Sequence, residues 1–300
     1  MIDPIEVLWT PAGQNLPSLG ARALVDVSDG DTPNIRMPVR MLSIDTPEVT
    51  AKTANGAARV DAKFAELIGW LRDGTAPVKA SFRDHMLPKL EGAPGGSLQF
   101  EQGQAASAYY KEKVEERLRK PSGRRRNLFV RSADEPFDGF GRLLAYVAPS
   151  YTKKEREAMS RRERSTFNLD LIESGWAAPF VLFPSIPGEL DLPLFVEVAQ
   201  EAMDQKRGQY GSEYSLTGYE YRMLERLYGI SKKLAGGETL SFPEQLKWRT
   251  RYCADIRNRA LHGPEDYMSV SPPYRLWIWP DDVQQAIAML NLVPAKSLTS

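Results

Sequence analysis

Acidic and cationic side chains gather in one short part of this chain. Asp29-Gly30-Asp31-Thr32 is followed by Arg40 and then by Asp45-Thr46-Pro47-Glu48, all within twenty residues. A second piece, Asp138-Gly139-Phe140-Gly141-Arg142, adds another arginine at the start of a strand-like run. Hard divalent cations such as Ca²⁺ and Mg²⁺ bind carboxylate and carbonyl oxygens. Asp31, Asp45 and the Thr46 carbonyl are therefore the candidate metal ligands, and this chemistry does not choose between the two ions. An arginine fork matches a phosphate bidentately, which makes Arg40 and Arg142 the candidate phosphate-binding pair. Glu48 is the candidate for orienting or deprotonating a water. Such a set would cleave a phosphodiester, with the cation and the forks stabilising the charge of the five-coordinate transition state. Each piece also has a plainer use. Asp-Gly-Asp makes turns, Asp-Thr-Pro-Glu can cap a helix, and Arg40 can pair with a surface acid.

Composition removes some alternatives. Lysine plus arginine and aspartate plus glutamate both number 39, so net charge gives no argument for a polyanionic partner. Charge is uneven locally: Lys111 to Arg126 holds eight basic residues against three acids. That stretch is a phosphate-tracking candidate, although a solvated helix face with a basic tail is the commoner cause. Cys253 is the only cysteine, so no intramolecular disulfide and no cysteine-rich zinc site is expected. Two histidines, His85 and His262, argue against sites built on several of them. No apolar run reaches membrane-spanning length. The start, Met1-Ile2-Asp3-Pro4-Ile5-Glu6, carries acids where a signal peptide wants bases, and the expectation is a cytoplasmic protein without a membrane partner.

The elements that must position these residues follow from pattern. Ala21 to Val27 and Ile35 to Ile44 read as strands around the Asp-Gly-Asp turn, and Leu128 to Val130 and Arg142 to Val147 as two more. Val78 to Phe82 reads as a short strand and Met86 to Ser97, rich in proline and glycine, as loop. Helical spacing marks Ala57 to Arg72, stopped by Gly74, then Gln104 to Leu118, a short helix capped by Ser165 or Thr166, and Leu194 to Arg207. Beyond that, Leu216 to Tyr228, Pro243 to Leu261 and Pro280 to Leu290 look helical. The expected division is therefore 1–211, with an insertion at about 49–100, and a mostly helical extension over 212–300. In the extension, Arg249, Arg251, Arg257 and Arg259 are expected on one helix beside Trp248 and Tyr252. That placement suits either nucleic-acid contact or an amphipathic helix with one wet face. Trp277, Ile278 and Trp279 are expected to anchor the extension.

In their order these motifs resemble the staphylococcal-nuclease-like, or thermonuclease, family. The resemblance rests on Asp29 to Thr32, Val39-Arg40-Met41-Leu42, Ile44 to Glu48, Asp138 to Tyr146, the helix start at Gly103 to Tyr109, and Asn168 to Gly175. It covers roughly 20–50 and 101–212. It implies a β-barrel plus helices (α+β), a five-stranded OB-fold elaborated by the insertion and the extension. It implies calcium-dependent cleavage of DNA or RNA, leaving a 3′-phosphate. By position, Asp31 and Asp45 match the family's metal carboxylates and Thr46 its carbonyl ligand. Arg40 and Arg142 match the phosphate-binding arginines, and Glu48 the acid assigned as general base.

The chain departs from the family pattern in several places. The segment from Asp31 to Arg40 is short. Gly139 and Phe140 stand where a basic residue and a tyrosine are usual. Val181 and Phe183 occupy positions where tyrosines contact substrate. The insertion after Glu48 either flanks the site, restricting entry to single strands or ends, or packs on the outside of the barrel. Two rival functions remain: a noncatalytic nucleic-acid-binding or scaffolding module, and a phosphodiesterase for small nucleotides.

Overall fold

A computed structural model describes residues 19–299; the acidic stretch Met1 to Glu6 lies outside them. In chain order the elements are β1 (Ala23–Asp29), β2 (Thr32–Arg36), β3 (Val39–Met41), β4 (Ile44–Asp45), α1 (Ala54–Asp73), α2 (Ala80–Gly92) and α3 (Gly95–Leu118). There follow β5 (Leu128–Phe137), β6 (Leu143–Pro149), α4 (Lys153–Ala158), α5 (Phe167–Glu173), β7 (Ala178–Pro179), β8 (Val181–Leu182) and α6 (Leu192–Asp204). The remainder holds α7 (Gly218–Ala235), α8 (Phe242–Gln245), β9 (Tyr252–Asp255), β10 (Ala260–His262), β11 (Arg275–Ile278), α9 (Val283–Leu290), β12 (Val293–Pro294) and α10 (Lys296–Thr299).

Helices and strands mix as an α+β protein. Among the described residues the strands form four sheets: β1-β2, β3-β6-β5, β4-β7, and β12-β10-β9-β11-β8. None is a closed five-stranded barrel. The chain divides into two compact units, one holding the chain up to Arg40 with Ser132–Ala145, the other Met41–Arg131 with Tyr146–Ser300. The division expected at 211/212 does not coincide with this one.

In the smaller unit, β1 and β2 pair as an antiparallel hairpin with Asp29 opposite Thr32. Every residue of both strands is exposed. Gly141, at φ +69, makes the turn before Arg142, and its carbonyl accepts from Arg22 Nη2 at 2.6 Å.

In the larger unit one apolar core joins the insertion to the C-terminal region. Phe64, Leu67 and Leu71 of α1 and Phe82, Met86 and Leu90 of α2 bury with Tyr221, Leu224 and Leu227 of α7, and with Trp248, Tyr267 and Trp277. Tyr219 packs on Trp277 with ring centroids 4.2 Å apart. This core explains two corrections. Val78 to Phe82 is no strand and Met86 to Ser97 no open loop: α2 runs through Pro88 because Phe82, Met86 and Leu90, four apart, all face the core. Apolar burial outweighs the hydrogen bond that Pro88 removes. The third correction is Pro243 to Leu261, where a four-residue helix is followed by the β9-β10 hairpin. Cys253, Ala254 and Asp255 are buried because β9 lies between β10 and β11. So short an apolar run fits both periods in sequence. Arg259 adopts φ 64 in the hairpin turn, and the four arginines do not share a helix.

Candidate functional site: two carboxylates on one guanidinium

Asp45 is positioned from all sides by the larger unit. Its strand β4 pairs antiparallel with β7, Asp45 opposite Ala178. Asn168, buried in α5, accepts from Val147 N at 3.1 Å and donates to Leu42 O at 2.8 Å, which fastens the start of this segment. Ile44 enters one core cluster with Leu169 and Phe195. Successive side chains of a strand alternate in direction, so Asp45 points the other way, to α7.

There Asp45 meets Arg222. Arg222 Nη1 donates to Asp45 Oδ1 at 3.1 Å and Nη2 to Oδ2 at 3.0 Å. The same Nη1 also donates to Glu48 Oε1. Asp45 is 2% exposed and the Glu48 side chain 21%. Burial alone would lower the Arg222 pKa, but Asp45 and then Glu48 outweigh it and hold the guanidinium above its ordinary value. Helix α7 can come this close because it begins with glycine. A Cβ on Gly218 would lie 2.6 Å from Thr46 O and 2.7 Å from Asp45 Oδ2. Thr217 caps the helix reciprocally with Glu220, and the positive end of the helix dipole then faces Asp45.

A second arginine lies in the same field. Arg251 sits 3.9 Å from the Trp279 ring centroid, 5.1 Å from Phe180 and 5.6 Å from Tyr219. Burial pulls its pKa down to about 10; Tyr219 and Asp45 oppose the fall, while Arg222 and Arg226 add to it. Among the described residues Arg251 forms no ion pair.

The other expected site residues lie in the smaller unit. Asp31 is exposed in the β1-β2 turn, where its N–H donates to Asp29 Oδ1 at 3.4 Å and its Oδ1 accepts from Thr32 at 3.1 Å. Those bonds give the Asp-Gly-Asp run its turn role. Arg142 pairs with Asp138 at 2.7 Å and lies 5.3 Å from the Phe140 ring centroid. Asp138 also accepts from the backbone N–H groups of Phe140 and Arg142, at 2.9 and 3.0 Å. Arg40 lies on β3 and is half-buried. The fold thus brings Asp45, Thr46 and Glu48 together in the larger unit, with Asp31, Arg40 and Arg142 in the smaller.

The donor set around Asp45 has the right chemistry for a hard cation: two carboxylates and a carbonyl. As folded it does not fit a divalent ion, because both Asp45 oxygens and one Glu48 oxygen bind the Arg222 guanidinium. Among the described residues no group of three or more His, Cys, Asp or Glu is arranged to hold a metal.

Sequence reasoning missed Arg222 and placed Arg251 on the wrong kind of element. Arg222 is one polar residue of an amphipathic helix, 174 residues from Glu48, and no local signal marks it. Other expectations changed as well. Val181 and Phe183, placed by resemblance at a substrate surface, are 4% and 2% exposed and pack in the core around β8 and β11. The basic run 111–126 is partly structural: Arg117 pairs with Asp170 and Arg126 with Glu155, and both arginine side chains are under 10% exposed. Among the described residues no helix is long and apolar enough to cross a membrane.

Compared with known proteins, the chain matches no family model and no curated protein.

Proposed function

We propose that this chain is a phosphodiesterase acting on DNA or RNA, of the thermonuclease type and built on an elaborated OB-fold. The resemblance gives Glu48 the proton of an attacking water and Arg40 and Arg142 the scissile phosphate. Water attacks phosphorus, the P–O bond to the leaving oxygen breaks, that oxygen takes a proton from solvent and departs as a hydroxyl, and the added phosphate charge falls to the arginines. One observation carries the reading: Asp45 and Glu48 converge on a single guanidinium nitrogen. Two acids three residues apart thereby form one locus that demands a cation, and Glu48 is its more solvent-accessible member. Arg251, which Asp45 influences and which forms no ion pair among the described residues, is the nearby cation left for a phosphate.

The decisive experiment is cleavage of end-labelled DNA and RNA by the full chain, with Ca²⁺, Mg²⁺ or chelator, beside Glu48→Gln. The expected outcome is wild-type cleavage and a loss of about 10²-fold or more in the variant. Equal rates in both would remove Glu48 from the chemistry. A second reading, binding without cleavage, is favoured by the same guanidinium, since Arg222 already satisfies both carboxylates. Its signature is retention of labelled oligonucleotide with no product under any metal condition.

A further inference from the structure

A cavity of about 460 Å³ opens in the larger unit away from Asp45 and Glu48, and it contains none of the residues discussed as the site. Its volume lies within the range of small-molecule pockets, ~300–1,000 Å³. Its floor is apolar and aromatic, with Tyr146 of β6 and Leu169 and Phe195 from α5 and α6. Phe129 of β5 lies at the mouth with 53% of its surface exposed.

The rim is cationic. Arg131, two residues after Phe129 and so on the same face of β5, joins Arg156, Arg161 and Arg164. Among the described residues Asp191 is the one acid lining the cavity, and it is paired with Arg161 at 2.6 Å. Among the described residues neither Arg131 nor Arg164 has an ion-pair partner. The rim therefore carries uncompensated positive charge.

This charge is held in place by other arginines. Arg162 bonds Glu173 at 2.6 Å and Glu201 at 2.7 Å. Arg117 donates to the Ser165 and Glu163 carbonyls at 2.8 and 2.9 Å. Arg126 pairs with Glu155 at 2.5 Å. The segment between β6 and α5 is thus fastened at three points, with Arg156, Arg161 and Arg164 left at the cavity.

We propose that this cavity binds a nucleotide, with phosphate on the arginine rim and base against Phe129 and Tyr146. Guanidinium forks match phosphate oxygens, and an aromatic face beside them accepts any base by stacking. A fatty carboxylate would need one cation and a longer apolar channel. Inorganic phosphate would leave the aromatic floor without a function. The nucleotide is either free or one unit of a single strand. The assignment does not depend on hydrolysis at Glu48.

The test is calorimetric titration of the full chain with adenosine 5′-monophosphate, with a single-stranded tetranucleotide and with inorganic phosphate. Wild type is expected to bind at least one nucleotide probe more tightly than phosphate. Arg131→Ala with Arg164→Ala is expected to weaken that binding at least tenfold. Both side chains are exposed and unpaired, so the variant should keep the wild-type circular dichroism and melting temperature. Phe129→Ala should weaken the nucleotide and leave phosphate unchanged. Preference between monophosphate and tetranucleotide tells a free ligand from a strand, and either supports the site. The assignment is overturned by no binding of either nucleotide probe, by phosphate binding as tightly as the nucleotides, or by unchanged affinity in the double variant. Cleavage by Glu48 is read separately, because these variants touch neither Asp45 nor Glu48.

Discussion

At Asp45 both carboxylate oxygens accept from Arg222, and almost no surface remains to water, whereas Glu48 shares one nitrogen of the same guanidinium and keeps a fifth of its side chain exposed. The two acids should therefore answer differently to mutation. Arg222→Ala removes both guanidinium bonds from a buried carboxylate and should cost about 3 kcal/mol in urea unfolding. Glu48→Gln removes one partly exposed contact and should cost about 1 kcal/mol or less. In an Asp45→Ala background the Arg222→Ala cost should shrink by about 2 kcal/mol, the coupling of two residues in one network. Additivity would mean the pair does not fasten α7. The same guanidinium bears on metal binding. Calcium is expected to leave the wild-type melting temperature unchanged and to raise that of Arg222→Met, because only the variant offers both carboxylates to an ion. A calcium-induced rise in the wild type alone would show that the ion binds without displacing Arg222.

Helix α7 carries a buried acid of its own, two residues before Arg222. Glu220 Oε2 accepts from Lys89 at 3.1 Å and from the Thr217 N–H at 2.9 Å. Its Oε1 accepts from Tyr267 at 3.3 Å, and His85 Nε2 lies 3.5 Å away. Burial alone would raise this carboxyl, but Lys89, His85 and Arg275 outweigh it and hold it well below 4.5. A carboxyl depressed by folding stabilises the native state above its ordinary pKa and loses that contribution as pH falls through its folded value. Glu220→Gln is therefore expected to be less stable than wild type at pH 7 by about 3 kcal/mol. The gap should narrow as pH falls below about 4.5. A gap independent of pH would place the effect in packing. Elements of this kind were legible in sequence where a long periodic face exists. The helix expected over Ala57 to Arg72 matches α1, with its stop at Gly74 in the left-handed region at φ 84. The helices expected from Leu194 and Leu216 start within two residues of α6 and α7, and α7 runs seven residues past the expected end at Tyr228. Where contacts far along the chain decide, local pattern failed: α2 crosses Pro88 for its core face, and β9 is a strand because β10 and β11 flank it. At the candidate site Asp45 and Glu48 were legible as neighbouring acids by type and spacing, whereas Asp31 makes the β1-β2 turn of the smaller unit. The cation that Asp45 and Glu48 share was not legible, since nothing near Arg222 in sequence points to Glu48.

On the scale of the whole chain, the insertion and the C-terminal region have one core between them. Side chains at or below 2% exposure come from α1 (Phe64, Leu67, Leu71), α2 (Phe82, Met86), α7 (Tyr221, Leu224, Leu227) and the region beyond it (Trp248, Tyr267, Trp277). Fully burying one large apolar side chain contributes about 1.5–3 kcal/mol. A domain has only about 5–15 kcal/mol of net stability, so losing either half of this core exceeds what the remainder can supply. A sequence division into 1–211 and 212–300 treats the extension as an addition. Its packing makes it a structural partner of residues 54–92, and Arg222 ties it to Asp45 as well. Two deletions test this. Removing 212–300 and removing 52–99 should each leave a chain without cooperative urea unfolding and with dye-accessible apolar surface. Supplying the separate 212–300 segment to the 1–211 chain should restore a cooperative transition if the two recognise each other through this core. A cooperatively unfolding 1–211 chain, as stable as the full protein, would instead make the extension a separable module and leave the Arg222 contact incidental to folding.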